Sequence, residues 1–405
     1  MKKTTVKGMM DYLPNEVAVR DYIQQEILNS YLSNGFVKIE TPIVESLENL
    51  DNSNGGDNLK LMYKIAKRGV KLEEAIQKQE NVCDLGLRYD LTLPLVRYIA
   101  NNKDLLVFPF KCIQIGSVYR AERPQKGRMC EFTQCDIDII GDNSVYSEIE
   151  LITVTVKALQ QLNIGDFTVK INNRRILNLL LLYVGFLENE LNTVCVSVDK
   201  MDKIGEQGVR DDLQAKGLNR EVINRLFEYL QTNTTIESLK TIVGNSDDIV
   251  QLQYIIDSCN RLLNDNCKVE FDITLVRGQG YYTGTVFEII SKQYNGVIAG
   301  GGRYDDLIGK FSKQSISACG FSIGFERVYS ILRERQINKE KKAIIYFCDK
   351  KDYVSVYTAV ENLRKVYNVT VYQTVRNMNV FLEKMKNIGF AGYMYDEDKK
   401  IRWFK

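Results

Sequence analysis

Apolar residues recur at helical spacing over residues 14–34, where Ile23, Ile27, Leu28, Tyr31 and Leu32 line one side. Gly35 closes that helix. VKIETPIVES follows as a strand, and Pro42 within it marks an edge or an interface, because proline cannot donate to a sheet centre. Residues 59–80 read as a strand or turn and then a charged segment. From Asp84, DLGLRYDLTLPLVRYIA is a strand that passes into a helix near Pro94. Between Phe110 and Gly141 two strands are joined by a basic loop. On the second, Cys135, Ile137 and Ile139 alternate with Gln134, Asp136 and Asp138, the two-residue period of a strand. Arg120 and Glu122 share a face of the first, and the loop adds Arg123, Lys126 and Arg128. Residues 146–162 form a helix with Ile149, Leu151, Ile152, Val156 and Leu159 on its apolar side.

From about 168 to 265 the pattern becomes INNRRILNLLLLYVGF and then helical segments rich in Lys, Asp, Glu and Asn, a separate and mainly helical insertion. Strand patterning returns at Val269 with VEFDITLVRGQGYYTGTVFEII, then GVIAGGGRYDDLIGKF, then ACGFSIGFERVYSIL. The charged stretch Asn338–Lys342 is a linker. Beyond it AIIYF, a helix near 352–366, VTVYQT, a helix near 378–388 and AGYMYD alternate as in a small α/β domain.

Composition narrows the chemistry. The chain has 405 residues, enough for two or three domains, and its 44% apolar and 26% charged content is that of a soluble globular protein. No apolar run is long enough to span a bilayer, and the basic start MKKTTVKGMMDYLPNE lacks a signal-peptide core, so a cytoplasmic location is expected. Nine cysteines without a C-x-x-C pair read as reduced thiols, with the Cys130–Cys135 spacing a weak metal signal. A net charge of +2 neither announces nor excludes a local basic patch. The sequence contains no histidine, which excludes a Ser-His-Asp triad, a His-dependent zinc site and an imidazole base.

The remaining chemistry falls on arginines, carboxylates and tyrosines. For an arbitrary strand pair the 110–141 hairpin would be a solvated face laced with ion pairs. Acids on one arm and arginines on the other also suit a substrate that carries an ammonium group beside a polyphosphate. LVRGQGYYTGTVFE places Arg277 before Gly278 and Gly280, which let backbone approach a ligand, and Tyr281 and Tyr282 suit either an aromatic ligand or a core. Gly300 to Gly302 suit a flat floor under a ligand, with a bulge the plain alternative; the Rossmann spacing is absent. In GFSIGFERV a strand passes into a helix at about Gly324, so Arg327 falls in the first turn. There the helix dipole disfavours a cation unless an anion is present. Arg120, Arg277 and Arg327 lie on three segments, and together would form a clamp for a transferring phosphorus.

These segments together resemble the class II aminoacyl-tRNA synthetases, and among them the histidine–tRNA ligases, over nearly the whole chain. GFVKIETPIVE, VYRAERPQKGRMCEFTQ and GFSIGFERV look like the three class motifs; LVRGQGYYTGTVFE and AGGGRYDDL look like the two segments peculiar to the histidine enzymes. The resemblance implies an α/β protein: an α+β catalytic domain with an antiparallel sheet and flanking helices in 1–167 and 266–337, a helical insertion at 168–265, and a short anticodon-binding-like α/β domain at 343–405. It implies that Asp90, Leu91 and Thr92 hold the substrate ammonium with help from Gln134, and that Asp138, Tyr281 and Tyr282 read the imidazole of L-histidine. Arg120, Glu122 and Arg327 would bind ATP and Phe132 would stack on adenine. Arg277 would contact the α-phosphate where related enzymes use a metal, leaving Mg²⁺ to the outer phosphates and no metal-ligand residues. Arg123 and Gln125 would face the acceptor end of the tRNA, and the Pro42 segment would form a homodimer contact. Three features depart from the family pattern: Gly280 where an acidic residue is usual, Cys130 where a basic one is frequent, and a shortened C-terminal domain. A histidine-sensing regulatory paralogue acting on the first enzyme of histidine biosynthesis is the alternative. Such paralogues generally lose the ATP-side residues that are present here. A duplicate ligase with altered tRNA choice also accords with the departures.

Overall fold

The structure is a computed structural model. It describes residues 2–51, 61–123, 129–231, 234–263, 267–277, 281–311, 315–334, 341–349 and 353–405, without the side chains of Asp202, Gln231 and Tyr353. The chain divides into two compact units, one of residues 1–10 and 23–332 and one of 11–22 and 333–405.

The first unit takes the segment up to Met10, resumes at Ile23 within α1 (Pro14–Ser33), and continues through β1 (Val37–Lys38), β2 (Val44–Ser46) and α2 (Leu47–Asp51), and then β3 (Lys64–Ala66), α3 (Val70–Gln77), β4 (Cys83–Leu87) and α4 (Thr92–Asn102). The long hairpin is β5 (Phe110–Tyr119) and β6 (Glu131–Ile140), followed by α5 (Tyr146–Gln161) and β7 (Phe167–Asn173). Six helices come next: α6 (Arg174–Val184), α7 (Leu191–Val198), α8 (Met201–Ala215), α9 (Arg220–Gln231), α10 (Ile236–Val243) and α11 (Asp247–Leu262). β8 (Val269–Phe271), β9 (Thr285–Ser291), β10 (Gly296–Arg303), α12 (Asp305–Gly309), β11 (Ala318–Gly324) and α13 (Phe325–Leu332) complete it.

Eight of these strands form one sheet in the order β1-β5-β6-β11-β10-β9-β7-β8. Its six central strands pair antiparallel, and the edge pairs β1–β5 and β7–β8 are parallel. β2, β4 and β3 form a small separate sheet. The expectation of an α/β fold with an antiparallel sheet and flanking helices is met. α5 carries the predicted Ile149, Leu151, Ile152, Val156 and Leu159 buried, together with Val154, Thr155 and Ala158. A helix buried on nearly every side belongs to the protein interior.

Four local expectations change. VKIETPIVES is two short strands in different sheets, and Pro42 lies in the break between them. β5 ends at Tyr119, so Arg120 and Glu122 follow the strand rather than sharing its face. The stretch expected to be mainly helical opens on β7, which pairs into the large sheet. On α1, Ile23, Ile27 and Tyr31 are buried as their spacing predicts, whereas Leu32 is 47% exposed.

The second unit holds β12 (Ala343–Phe347), α14 (Tyr353–Arg364), β13 (Asn368–Tyr372), α15 (Met378–Asn387), β14 (Gly392–Tyr395) and β15 (Arg402–Trp403). The sheet order is β13-β12-β14-β15, parallel except for the last strand, as alternating strands and helices require. Its core faces carry Ile344, Tyr346, Val356 and Val360 on one side and Ile345, Phe347 and Met385 on the other.

Candidate active site

Residues opposite one another on neighbouring strands point to the same face of a sheet. One rung of the large sheet therefore runs Gln114–Asp136–Ser322–Gly300–Glu288–Lys170 across six strands. The next runs Cys112–Asp138–Gly320–Gly302–Val286. The polar residues of β6 thus meet only serine or glycine on β11, and the glycines of β10 lie beyond. A cleft opens over these rungs. Its walls are Asp90 and Thr92 beside the start of α4, Tyr281 and Tyr282 from the segment before β9, Tyr304 after β10, and Arg277.

The glycines make the floor by having no side chain. A Cβ on Gly320 would lie 2.0 Å from Asp138 Oδ1, and one on Gly302 would lie 2.8 Å from Cδ1 of Tyr282. β10 does contain a register shift, but between Val297 and Ala299; Gly300 to Gly302 pair regularly on both sides. The flat-floor expectation holds and the bulge sits upstream.

The carboxylates are buried, not solvated. Asp90 is 2% exposed, and Asp136 and Asp138 are each 4% exposed, which overturns the bland reading of the hairpin face. Asp90 Oδ1 accepts from the Leu93 N–H at 3.2 Å. Tyr304 donates its hydroxyl to Asp138 Oδ1 at 2.5 Å, and Gln134 Nε2 donates to Ser322 Oγ at 2.9 Å. Burial pushes Asp90 up to about 6, against the pull of the Leu93 N–H and the Arg120 cation. It pushes Asp138 up to about 7, with the Tyr304 hydrogen bond opposing and the Asp90 charge adding. Asp136 is raised well above the carboxylate range by burial and then by Asp138.

Among the described residues, Asp90 Oδ2, Gln134 Oε1 and Asp136 Oδ1 accept no hydrogen bond, and Arg277 Nε donates none. A buried polar atom left unpaired costs roughly 1–3 kcal/mol, so such atoms in one cleft point to a ligand. Three acceptors, two of them carboxylate oxygens, match the three N–H donors of an ammonium group. Arg277 Nη1 donates to Glu288 Oε1 at 2.8 Å, and its guanidinium lies 5.7 Å from the Tyr282 ring centre.

The other predicted residues lie outside this lining. Leu91 is buried, and its carbonyl accepts from Gln114 Nε2 at 3.0 Å. The Arg120 guanidinium sits 5.1 Å from the Phe132 ring centre while its Nε donates to the Tyr89 carbonyl at 3.0 Å. Arg327 falls in the first turn of α13, and its Nη1 donates to the Val297 carbonyl at 2.6 Å. The Glu122 carbonyl accepts from the Cys130 thiol at 3.4 Å, and Arg123 is exposed. Gln125, Lys126, Arg128, Gly278 and Gly280 lie outside the described residues.

The sequence profile of the family described as Histidyl-tRNA synthetase matches residues 8–328. The chain belongs to that family. A relative from Tropheryma whipplei (strain Twist), named probable histidine–tRNA ligase, is 38% identical over 98% of this chain and 96% of its own length. A histidine–tRNA ligase from Leifsonia xyli subsp. xyli (strain CTCB07) is 40% identical over 81% of this chain and 80% of its own. Among solved structures, histidyl-tRNA synthetase from Nostoc sp. PCC 7120 superposes with a TM-score of 0.77 at 26% identity, covering 98% of this chain and 93% of that one. The same fold, with a TM-score of 0.77 at 22% identity and 98% coverage of both chains, occurs in an ATP phosphoribosyltransferase regulatory subunit/histidyl-tRNA synthetase from Bacillus halodurans C.

Sequence reasoning left three members of the family cleft without a role. Tyr304 stands two residues past the glycine run, and Gly320 opens the third motif. Glu288 is a lone carboxylate in the apolar strand TVFEII, which was its available signal.

Proposed function

We propose that the protein ligates L-histidine to its tRNA in two steps. The histidine carboxylate attacks the α-phosphorus of ATP, the bond to pyrophosphate breaks, and histidyl-adenylate forms. A hydroxyl of the tRNA 3′-terminal ribose then attacks the acyl carbon and AMP leaves. The observation that carries this reading is the set of three unpaired buried acceptors beside the half-buried Arg277, whose Nε is also buried and unpaired, in one cleft.

In this reading Asp90, Gln134 and Asp136, with Thr92 beside them, take the ammonium group, and the backbone at Leu91 sets the start of α4. Asp138 accepts from an imidazole N–H, with Tyr304, Tyr281 and Tyr282 around the ring. Arg277 faces the α-phosphate and stabilises the charge that grows there. Arg120, Glu122 and Arg327 bind the nucleotide, and Phe132 carries the adenine. Arg123 and Gln125 meet the acceptor end. The described residues contain no cluster of three carboxylate or thiol ligands, so Mg²⁺ would arrive on the outer phosphates of MgATP as part of the substrate. A homodimer built on the Gly35–Ser46 segment and work in the cytoplasm belong to the same proposal. No helix among the described residues is long and apolar enough to cross a membrane.

Histidine-dependent exchange of pyrophosphate into ATP, followed by charging of histidine tRNA, tests the reading. Both activities are expected. Histidine binding without either one would favour the regulatory alternative.

A further inference from the structure

We infer that Gly300 and Glu288 form a socket that aims the guanidinium of Arg277, and that both are positioning residues for adenylate formation. Gly300 on β10 and Glu288 on β9 are direct cross-strand partners on the cleft face of the sheet. Arg277 reaches them from outside the sheet, from the segment between β8 and β9. A Cβ built on Gly300 would lie 1.7 Å from Arg277 Nη1 and 2.7 Å from Cζ. The guanidinium therefore occupies the volume that any other residue at 300 would fill. The same Nη1 donates to Glu288 Oε1 at 2.8 Å, so one partner supplies the space and the other the direction.

Two further observations fit a socket better than a chance ion pair. Arg277 has a φ of 53°, a left-handed backbone that a long side chain rarely adopts and that needs support from its surroundings. Its Nε is buried without a partner among the described residues, so the socket holds one end of the guanidinium and leaves another donor to the cleft. β10 is hydrogen-bonded on both sides, by β9 and β11, which makes it a fixed base. A cation held this way is preorganised, and preorganisation is what makes such a donor effective in a transition state.

The inference rests on Arg277 serving the α-phosphate, and a double-mutant cycle separates the two claims. The atom met by a methyl group at 300 is the far end of an arginine, so Gly300→Ala is absorbed by moving the guanidinium while the strand stays. A misplacement of about 1 Å in such a group costs on the order of 100-fold in rate. Histidine-dependent pyrophosphate exchange is measured for the full chain, for Gly300→Ala, Glu288→Gln and Arg277→Ala, and for each of the first two combined with Arg277→Ala. Gly300→Ala and Glu288→Gln should each lower kcat on the order of 10- to 100-fold, with a smaller change in the KM for histidine. In the Arg277→Ala background both should fall silent, within about twofold, because their target is gone. Equal fold losses in both backgrounds, or single variants at the wild-type rate, overturn the socket alone. Arg277→Ala at the wild-type rate overturns the role of Arg277 and the socket with it.

Discussion

At the scale of single residues, the cleft carries carboxyl groups that are only part-ionised near neutrality when it is empty. Asp138 titrates at about 7 and Asp90 at about 6 because burial penalises their charge. Their folded values stand above those of the unfolded chain. Their contribution to stability is therefore full below the ordinary carboxyl range and is lost progressively as pH rises from about 4 through about 6 to 7. The unliganded protein should lose melting temperature over that window, and Asp138→Asn should lose less of it; equal losses in both would remove Asp138 from this role. Bound histidine supplies the ammonium and imidazole donors that favour the ionised forms. Its stabilising effect should therefore be larger at about pH 8 than at about pH 5.5. Asp138→Asn should also weaken histidine affinity, since a charge-assisted hydrogen bond becomes a neutral one; calorimetry reads this directly.

At the scale of elements, β10 is held at its far end by a buried ion pair. Arg303 donates to Glu148 of α5 at 2.6 and 2.7 Å, with side chains 9% and 2% exposed, and also to the Asp142 and Ser144 carbonyls. Tyr304 follows directly, so the pair also anchors the tyrosine that holds Asp138. Arg303→Met leaves Glu148 buried and unpaired and should cost roughly 3–5 kcal/mol in urea unfolding. Adding Glu148→Met should restore much of that loss; no restoration would mean that packing, not charge, holds the strand end. These elements were partly legible in the sequence. The period of two placed β6, the glycine run placed the floor, and helical spacing placed α5. What failed was which face met solvent. A period-two strand has a polar face, and the pattern is silent on whether that face opens to water or lines a covered cleft, as Asp136 and Asp138 do. The break in VKIETPIVES was hidden for a related reason. β1 and β2 serve different sheets, and nothing in an extended apolar pattern records a change of partner. Glu288 took on meaning only through cross-strand register, and Tyr304 through its hydrogen bond to Asp138, contacts that join residues far apart in sequence.

At the scale of the molecule, the second compact unit includes residues 11–22 as well as 333–405, so a chain ending at Lys341 also removes partners of the segment that starts α1. α15 carries Lys384 and Lys386 in its last turn, and they are the only cations of that helix. Phosphate contacts dominate affinity for nucleic acid, so a contact made through α15, with these two cations, implies a modest contribution and a shallow dependence on salt. Charging of histidine tRNA should then fall more with Gln125→Ala in the hairpin loop than with the truncation. Abolished charging on truncation, with the loop variant still active, would reverse that division of labour. Light scattering at micromolar concentration should find a dimer, and a monomer would count against the role proposed for the Gly35–Ser46 segment.

The glycine floor also sets the directions in which this site can change. Gly300, Gly302 and Gly320 have no side chain left to trim, and an added methyl group would run into Arg277, Tyr282 and Asp138 respectively. Mutation can make the pocket shallower there and never deeper. Room for a bulkier amino acid has to come from the walls, at Tyr281, Tyr282 or Tyr304, and Tyr304 cannot be cut back without releasing Asp138. In the proposed reading, the floor's share of any selectivity against larger side chains is set by the backbone, and drift or design can act only on the tyrosine walls.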